Sequence, residues 1–163
     1  MKRALFPLSV FILVLASGTA LADPHRFGGG IRYNRSVTSL GDDFDKSGVS
    51  LLLSYQYAAP ILVRFEGDLE IIPSSVTGNG TAVVPWAYAL VGGLFYGGIG
   101  AGIAYADGEF ANDPIFALRI GLDVGLGPVH ADVNANYQFV DFDQLGDLDA
   151  NYVTLGLMAR YEF

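Results

Sequence analysis

Most of the chain after residue 22 alternates between apolar and largely polar side chains, and residues 151–163 show this alternation most clearly. The apolar positions of this segment are Val153, Leu155, Leu157, Ala159, Tyr161 and Phe163. A period of two places such side chains on one face of a β-strand, whereas a helix would scatter them around its axis. The segment is therefore predicted to form a strand with one apolar face.

Seven earlier segments follow the same rule with more interruptions. The eight segments together are 26–37, 46–58, 61–72, 83–96, 98–106, 115–125, 129–140 and 151–163. In 83–96 both faces are apolar, so the alternation does not distinguish the inner face from the outer one. The pattern as a whole predicts an all-β chain of eight strands.

The connections between these segments alternate in length. The long ones are 38–45, 73–82, 107–114 and 141–150, and the short ones centre on Ala59-Pro60, Gly97-Gly98 and Gly127-Pro128. This alternation is typical of membrane barrels, in which short periplasmic turns and longer extracellular loops join neighbouring strands. The predicted fold is an eight-stranded antiparallel up-and-down transmembrane β-barrel.

Residues 82–106 contain no charge and are also a candidate for a membrane helix. Six glycines and Pro85 interrupt the stretch, although membrane helices tolerate glycine. No Lys or Arg flanks it, whereas a positive-inside signal would place basic residues there. Two strands that meet near Gly97-Gly98 are the favoured interpretation.

Residues 1–22 are typical of a cleaved secretory signal peptide. Lys2 and Arg3 form a basic start, residues 4–16 are almost wholly apolar, and Ala20-Leu21-Ala22 is a small-residue cleavage site. The barrel domain would then comprise residues 23–163, with seven basic residues against 17 acidic ones and no cysteine. This acidic balance argues against nucleic acid as a partner, and no cofactor is expected.

The face opposite the apolar one carries charges of both signs. Arg26 lies on this face. Ten further charged residues on it are predicted to pair inside the barrel: Arg32, Arg64, Glu66, Asp68, Glu70, Arg119, Asp123, Asp132, Arg160 and Glu162. Side chains can fill an eight-stranded barrel, and buried charges are costly unless they are paired. The network is therefore interpreted as a plug, with a narrow pore or a small polar ligand site as the alternative. The glycines on this face either leave lumen space for that alternative or make room for Trp86 or Tyr88; they are Gly98, Gly100, Gly102, Gly121 and Gly125.

The sequence resembles the OmpA/OmpX-like family of small outer-membrane barrels over essentially all of residues 23–163. The specific parts are Leu157, Tyr161 and Phe163 at alternate positions of the last strand, and the four long acidic or Gly-rich loops. The resemblance implies that these three residues are the signal read by the barrel-insertion machinery. It also implies a monomer in the bacterial outer membrane, against lipid and lipopolysaccharide, without a peptidoglycan-binding domain.

The long connections are acidic, and their densest group is Asp141, Asp143, Asp147 and Asp149. Such oxygen ligands suit Ca²⁺ or Mg²⁺, but the spacing is not that of an EF-hand loop. A solvated, self-repelling rim without a metal is the favoured interpretation.

Enzymatic chemistry has one candidate residue, His130, on the inward face. Asp132 follows it two positions on, where the pattern of lipid A deacylases has a serine. Nucleophilic hydrolysis needs such a serine beside the base. No enzyme is predicted. The expected role is structural or surface-interacting, such as envelope integrity or adhesion. The first alternative is a porin-like small channel for ions or small apolar molecules, and the second is a lipid A-modifying enzyme.

Overall fold

The computed structural model describes residues 25–34, 47–59, 62–77, 80–146 and 152–163. The elements in chain order are β1 (His25–Asn34), β2 (Gly48–Ala58), β3 (Val63–Ile72), α1 (Ser74–Thr77), β4 (Ala82–Gly92), β5 (Phe95–Gly102), β6 (Tyr105–Ala106), β7 (Glu109–Phe110), β8 (Ile115–Leu126), β9 (Val129–Phe139), a 3₁₀ helix (Phe142–Gly146) and β10 (Val153–Glu162). The predicted signal peptide 1–22, the connection 38–45 and residues 147–150 lie outside the described residues.

The eight long strands form one closed antiparallel sheet. Strands that follow one another in the chain are paired from β1 to β5 and from β8 to β10, and β5 pairs with β8. The ring closes because β1 also pairs with β10, where Ile31 lies opposite Leu157. Closure pairs the backbone of each long strand on both sides, which removes exposed sheet edges. The predicted all-β fold, an eight-stranded antiparallel barrel, is thereby confirmed.

The turn between β4 and β5 lies at Gly93-Leu94, so its predicted position at Gly97-Gly98 is wrong. Gly92 ends β4 with a φ of 130°, a conformation that L side chains rarely adopt. Residues 82–106 thus contain two long strands and the short β6 instead of a membrane helix. No helix within the described residues is long and apolar enough to cross a membrane.

His25 and Phe163 lie at the same end of the barrel, which we call the terminal end; the opposite end is the loop end. At the loop end, Val76 of α1 packs over Gly48 of β2. An apolar cluster surrounds Val76 and includes Ile72, Ala82, Val84, Ala104 and Ile115. These side chains are buried near the loop end.

The two faces of the sheet differ sharply in chemistry. Large apolar side chains cover the outside, among them Ile31, Leu53, Ile99, Ile120, Val133 and Leu157. Polar side chains occupy the inside, among them Arg32, Gln56, Glu66, Arg119, Asn136 and Arg160. Soluble proteins have the reverse arrangement, because they bury apolar side chains and expose charged ones. On β4, whose face the sequence leaves open, Trp86, Tyr88 and Leu90 point inward.

Candidate functional site

The interior of the barrel is the candidate site, and the structure places all ten residues of the predicted network there. Nine of the ten are buried, and Glu162 lies at the terminal end with a side chain that is 15% exposed. They come from β1, β3, β8, β9 and β10, and period-two alternation turns each of them inward. Their contacts form three clusters along the barrel axis.

At the terminal end, two carboxylates contact two arginines and a histidine. Arg26 donates from Nη1 to Asp123 Oδ2 at 3.0 Å and from Nε to Glu162 Oε2 at 2.7 Å. Arg64 also donates to Asp123. The ring nitrogens of His130 lie 2.9 Å from Asp123 Oδ1 and 3.1 Å from Glu162 Oε2. Both carboxylates therefore have more than one polar partner.

Glu66 is the centre of the middle cluster. Arg119 donates to Glu66 Oε1, and Arg160 Nη2 donates to Glu66 Oε2 at 2.7 Å. Arg119 donates further to Asp68 Oδ2 at 3.0 Å, and Arg160 Nη1 lies 3.3 Å from Asp132 Oδ2. Each guanidinium offers five donors in a planar fork, so one arginine can join carboxylates of different strands across the lumen.

Nearer the loop end, Glu70 has four donors, one of which is Asn34 Nδ2 at 3.4 Å. Arg32 pairs with it, Ser50 donates its hydroxyl hydrogen, and Trp86 donates from Nε1 at 3.0 Å. Arg32 Nη2 also lies 4.0 Å from Asp68 Oδ2. The shared Asp68 connects this cluster to the middle one.

Gln56 connects the middle cluster to the terminal end. Its Oε1 accepts from Arg26 Nη1 at 3.0 Å, and its Nε2 donates to Glu66 Oε2 at 2.6 Å. The polar contacts are therefore continuous from Glu162 to Glu70, along most of the barrel axis. Five arginines and six carboxylates take part, so the network is close to electrical balance.

Three aromatic residues belong to this network although the sequence pattern did not assign them to it. The Arg119 guanidinium lies 3.5 Å from the ring centroid of Tyr88, and that of Arg64 lies 4.4 Å from the centroid of Tyr96. The hydroxyl of Tyr96 donates to Asp132 at 2.7 Å, and Trp86 is the third member. Cation–π contacts of this kind are stronger where water is excluded. The rings thus fill space between the arginines and also stabilise their charge.

Glycines on β5 make room for these rings. Gly102, Gly100 and Gly98 lie directly opposite Trp86, Tyr88 and Leu90 of β4. A Cβ atom at Gly100 or Gly102 would overlap the facing ring. At Gly100 and Gly102 the structure therefore shows the interpretation in which the glycine accommodates an aromatic side chain, whereas Gly98 faces Leu90.

Replacing Gly100 by alanine is expected to lower the free energy of unfolding by about 1–3 kcal/mol, because the new methyl group overpacks the lumen against Tyr88. The matched control is Gly67→Ala, because the nearest atom to a Cβ there is 4.0 Å away on the outer face. The control substitution is expected to change the free energy of unfolding by no more than about 0.5 kcal/mol. Urea unfolding of both refolded variants measures the difference, and equal midpoints would contradict the packing.

Neither a nucleophile nor a metal site is evident in the described residues. Both nitrogens of His130 contact carboxylates, so the ring is not oriented toward a serine hydroxyl. Ser50 and Ser54 instead contact Glu70 and Arg160. No group of three or more His, Asp or Glu residues within these ranges is arranged to hold a metal ion. Part of the acidic rim, including Asp147 and Asp149, lies outside the described residues.

The three residues of the predicted insertion signal lie on the outer face. Leu157, Tyr161 and Phe163 are all exposed. Phe163 donates its backbone N–H to the carbonyl of His25 and stacks on the His25 ring, so the last residue is fixed to the first described strand. Their role as a signal stays a prediction.

No protein-family model, curated protein or solved structure matches this chain. The closed eight-stranded antiparallel barrel is shown by the strand pairing alone. The resemblance to the OmpA/OmpX-like family thus depends on the sequence pattern and stays a prediction.

Proposed function

We propose that this protein is an integral barrel of the bacterial outer membrane with a structural or surface-interaction role. One observation carries the proposal: the outer wall is apolar, whereas the interior holds a continuous network of ion pairs and hydrogen bonds. Water would solvate the charges better than the lumen does, and exposed apolar patches of this extent are rare on soluble monomers. Hydrocarbon around the barrel accounts for both faces at once.

The distribution of aromatic residues on the outer wall supports a membrane position. Near the terminal end the exposed aromatic residues are Phe27, Tyr55, Tyr57, Phe65, Phe95, Tyr161 and Phe163. Near the loop end they include Tyr33 and Phe142. Aliphatic side chains occupy the band between them, as in membrane barrels, whose apolar band is flanked by two aromatic girdles. Seven of the eight long strands have 10–12 residues, enough to cross a bilayer at a tilt.

The contents of the lumen argue against a channel. Arg32, Asp132 and Gln56 are 0% exposed, and the apolar cluster around Val76 is buried near the loop end. An ion would have to displace paired charges to pass. The lumen therefore supports a plug better than the alternative of a porin-like channel.

The loop end carries features suited to contacts outside the membrane. The hairpin of β6 and β7 presents Tyr105 and Phe110, whose ring centroids are 4.9 Å apart, next to the acidic residues Asp107 and Glu109. Exposed aromatic side chains are favoured at protein interfaces. This hairpin is the basis for proposing surface interaction, with the lipid and lipopolysaccharide of the outer membrane as immediate neighbours.

Reconstitution into phosphatidylcholine vesicles tests the proposal. The barrel is expected to need detergent for solubility, to migrate differently on a gel before and after boiling, and to give no conductance steps in a planar bilayer. The gel mobility of the same sample shows that an absence of conductance steps is not due to protein that failed to fold and insert. Regular conductance steps would favour the channel, and a detergent-free soluble monomer would contradict the membrane barrel.

A further inference from the structure

The outer wall has a recess where β4 and β5 carry small side chains. Ala87 lies directly opposite Ala101, and Ala89 lies beside them on the same face of β4. These three alanines are part of the lining of a cavity of about 510 Å³ on the outside of the barrel. Ligand cavities in proteins have volumes of roughly 300–1,000 Å³, so the recess is large enough for a bound molecule.

Bulky side chains form the walls of this recess. Phe65 of β3 lies next to Ala89 on one side, and Phe116 and Leu118 of β8 lie next to Ala101 and Ile99 on the other. A side chain on an outward strand position stands roughly perpendicular to the sheet. The alanines therefore lie lower than Phe65, Phe116 and Leu118 around them, and the recess is a groove that is open on the β3 side where Gly67 lies opposite Ala87.

The 3₁₀ helix closes the groove toward the loop end. The ring of Phe142 packs against Phe116 and Phe139, with centroid distances of 5.0 and 5.4 Å. Phe139 is buried beneath it although it points to the outer face. Phe142 itself is 64% exposed, and it lines the groove together with Leu145. The groove thus opens to the surroundings of the barrel and is closed at its end near the loop end.

The chemistry of the lining restricts what the groove accepts. The lining residues are aliphatic, aromatic or glycine, and the one hydroxyl among them, on Tyr88, belongs to an inward side chain that packs on Arg119. Backbone donors and acceptors in this part of the wall are used in the pairing of β3, β4, β5 and β8. An occupant finds packing contacts there but few hydrogen-bonding groups.

We propose that this groove binds the acyl chain of a lipid from the surrounding membrane. The inference rests on the proposed membrane function, because the groove is continuous with the apolar belt that would face hydrocarbon. Lipid tails are as apolar as the wall, so binding gains little from the hydrophobic effect and depends on the number of close contacts. A recess bordered by Phe65, Phe116 and Leu118 offers a chain more contacts than a convex wall does.

Photolabelling in vesicles tests the groove. The probe is a phosphatidylcholine with a diazirine on one acyl chain, mixed into phosphatidylcholine vesicles that contain the barrel, and labelled peptides are identified by mass spectrometry. Labelling of the outward positions of β4, β5 and β8 is expected to exceed that of β9 and β10 by roughly fivefold, a ratio that several extra carbon–carbon contacts provide.

A pair of filling variants provides the specificity control. Ala87→Phe with Ala101→Phe fills the groove and is expected to abolish the excess. Ala131→Phe with Ala159→Phe adds the same side chains at a directly opposed outward pair on β9 and β10 and is expected to preserve it. The gel shift on boiling confirms that each variant is folded.

The possible outcomes separate the groove from the membrane barrel. Even labelling around the whole belt would overturn the groove and leave the membrane barrel intact. An absence of label on the outer wall would overturn the membrane function itself. Formation of a disulfide-linked dimer by the variant Ala87→Cys, in a chain with no other cysteine, would show that a second copy, and not a lipid, occupies the groove.

Discussion

Replacing Ile120 by arginine is expected to lower the free energy of unfolding in a bilayer by about 2–4 kcal/mol, whereas Leu126→Arg is expected to cost about 0–1 kcal/mol. The two residues belong to the same strand, and their side chains are equally exposed, at 68% and 69%. Ile120 is central in β8 and would lie near the bilayer midplane. Leu126 ends the strand at the terminal end and would lie near the headgroups.

The two substitutions discriminate well between bilayer and water, because in water both would be expected to change the free energy of unfolding by similar amounts. Surface substitutions in a soluble protein usually change stability by less than about 0.5 kcal/mol, wherever they lie on the surface. Urea titration of each variant in phosphatidylcholine vesicles, followed by the fluorescence of the single tryptophan, Trp86, gives both values. Equal losses at Ile120 and Leu126 would contradict a bilayer around β8.

Strand faces were predictable from the sequence wherever one face carries charge. On β9 the positions of Asp132, Asn134 and Asn136 predict an inward face, and all three are buried inside the barrel. A shift of one residue would turn every side chain of a strand to the opposite face, so a single charged residue determines the orientation of its whole strand. The same reasoning applies to Arg119 on β8 and Arg160 on β10.

β4 and its turn were not predictable in this way. Both faces of β4 are apolar, and glycines at 92, 93, 97 and 98 offer several places for a turn. The signal that could have located it is complementarity of size: Trp86 and Tyr88 require small partners, and Gly102 and Gly100 provide them only if the hairpin centres on Leu94. Alternation of polarity contains no information on size, so the predicted turn was displaced.

The pairing of individual charged residues within the lumen could not be predicted from the sequence either. Charge balance predicts that the arginines are paired, but not that Arg119 of β8 reaches Glu66 and Asp68 of β3. Those contacts cross the lumen between strands that are not neighbours. The stagger of strands in a closed barrel sets which side chains share a height along the axis, and the sequence pattern does not specify that stagger.

Replacing Glu66 by alanine is expected to cost about 3–5 kcal/mol of unfolding free energy, because removal of one partner from a buried ion pair leaves an uncompensated charge. Glu66 accepts from Arg119, Arg160 and Gln56, so all three lose a partner in a region without solvent access. The matched control is Glu109→Ala on the exposed hairpin. It is expected to change the free energy of unfolding by no more than about 0.5 kcal/mol. Urea titration in vesicles measures both variants.

A double-mutant cycle separates loss of pairing from loss of packing. Arg160→Met removes the charge that Glu66 compensates and keeps a long apolar side chain in its place. If the two residues stabilise each other, the double variant is less destabilised than the sum of the single ones, with a coupling of about 0.5–3 kcal/mol. Strict additivity would mean that Glu66 and Arg160 act independently, although their side chains are 2.7 Å apart. This ion pair would then contribute little beyond the packing of its two side chains.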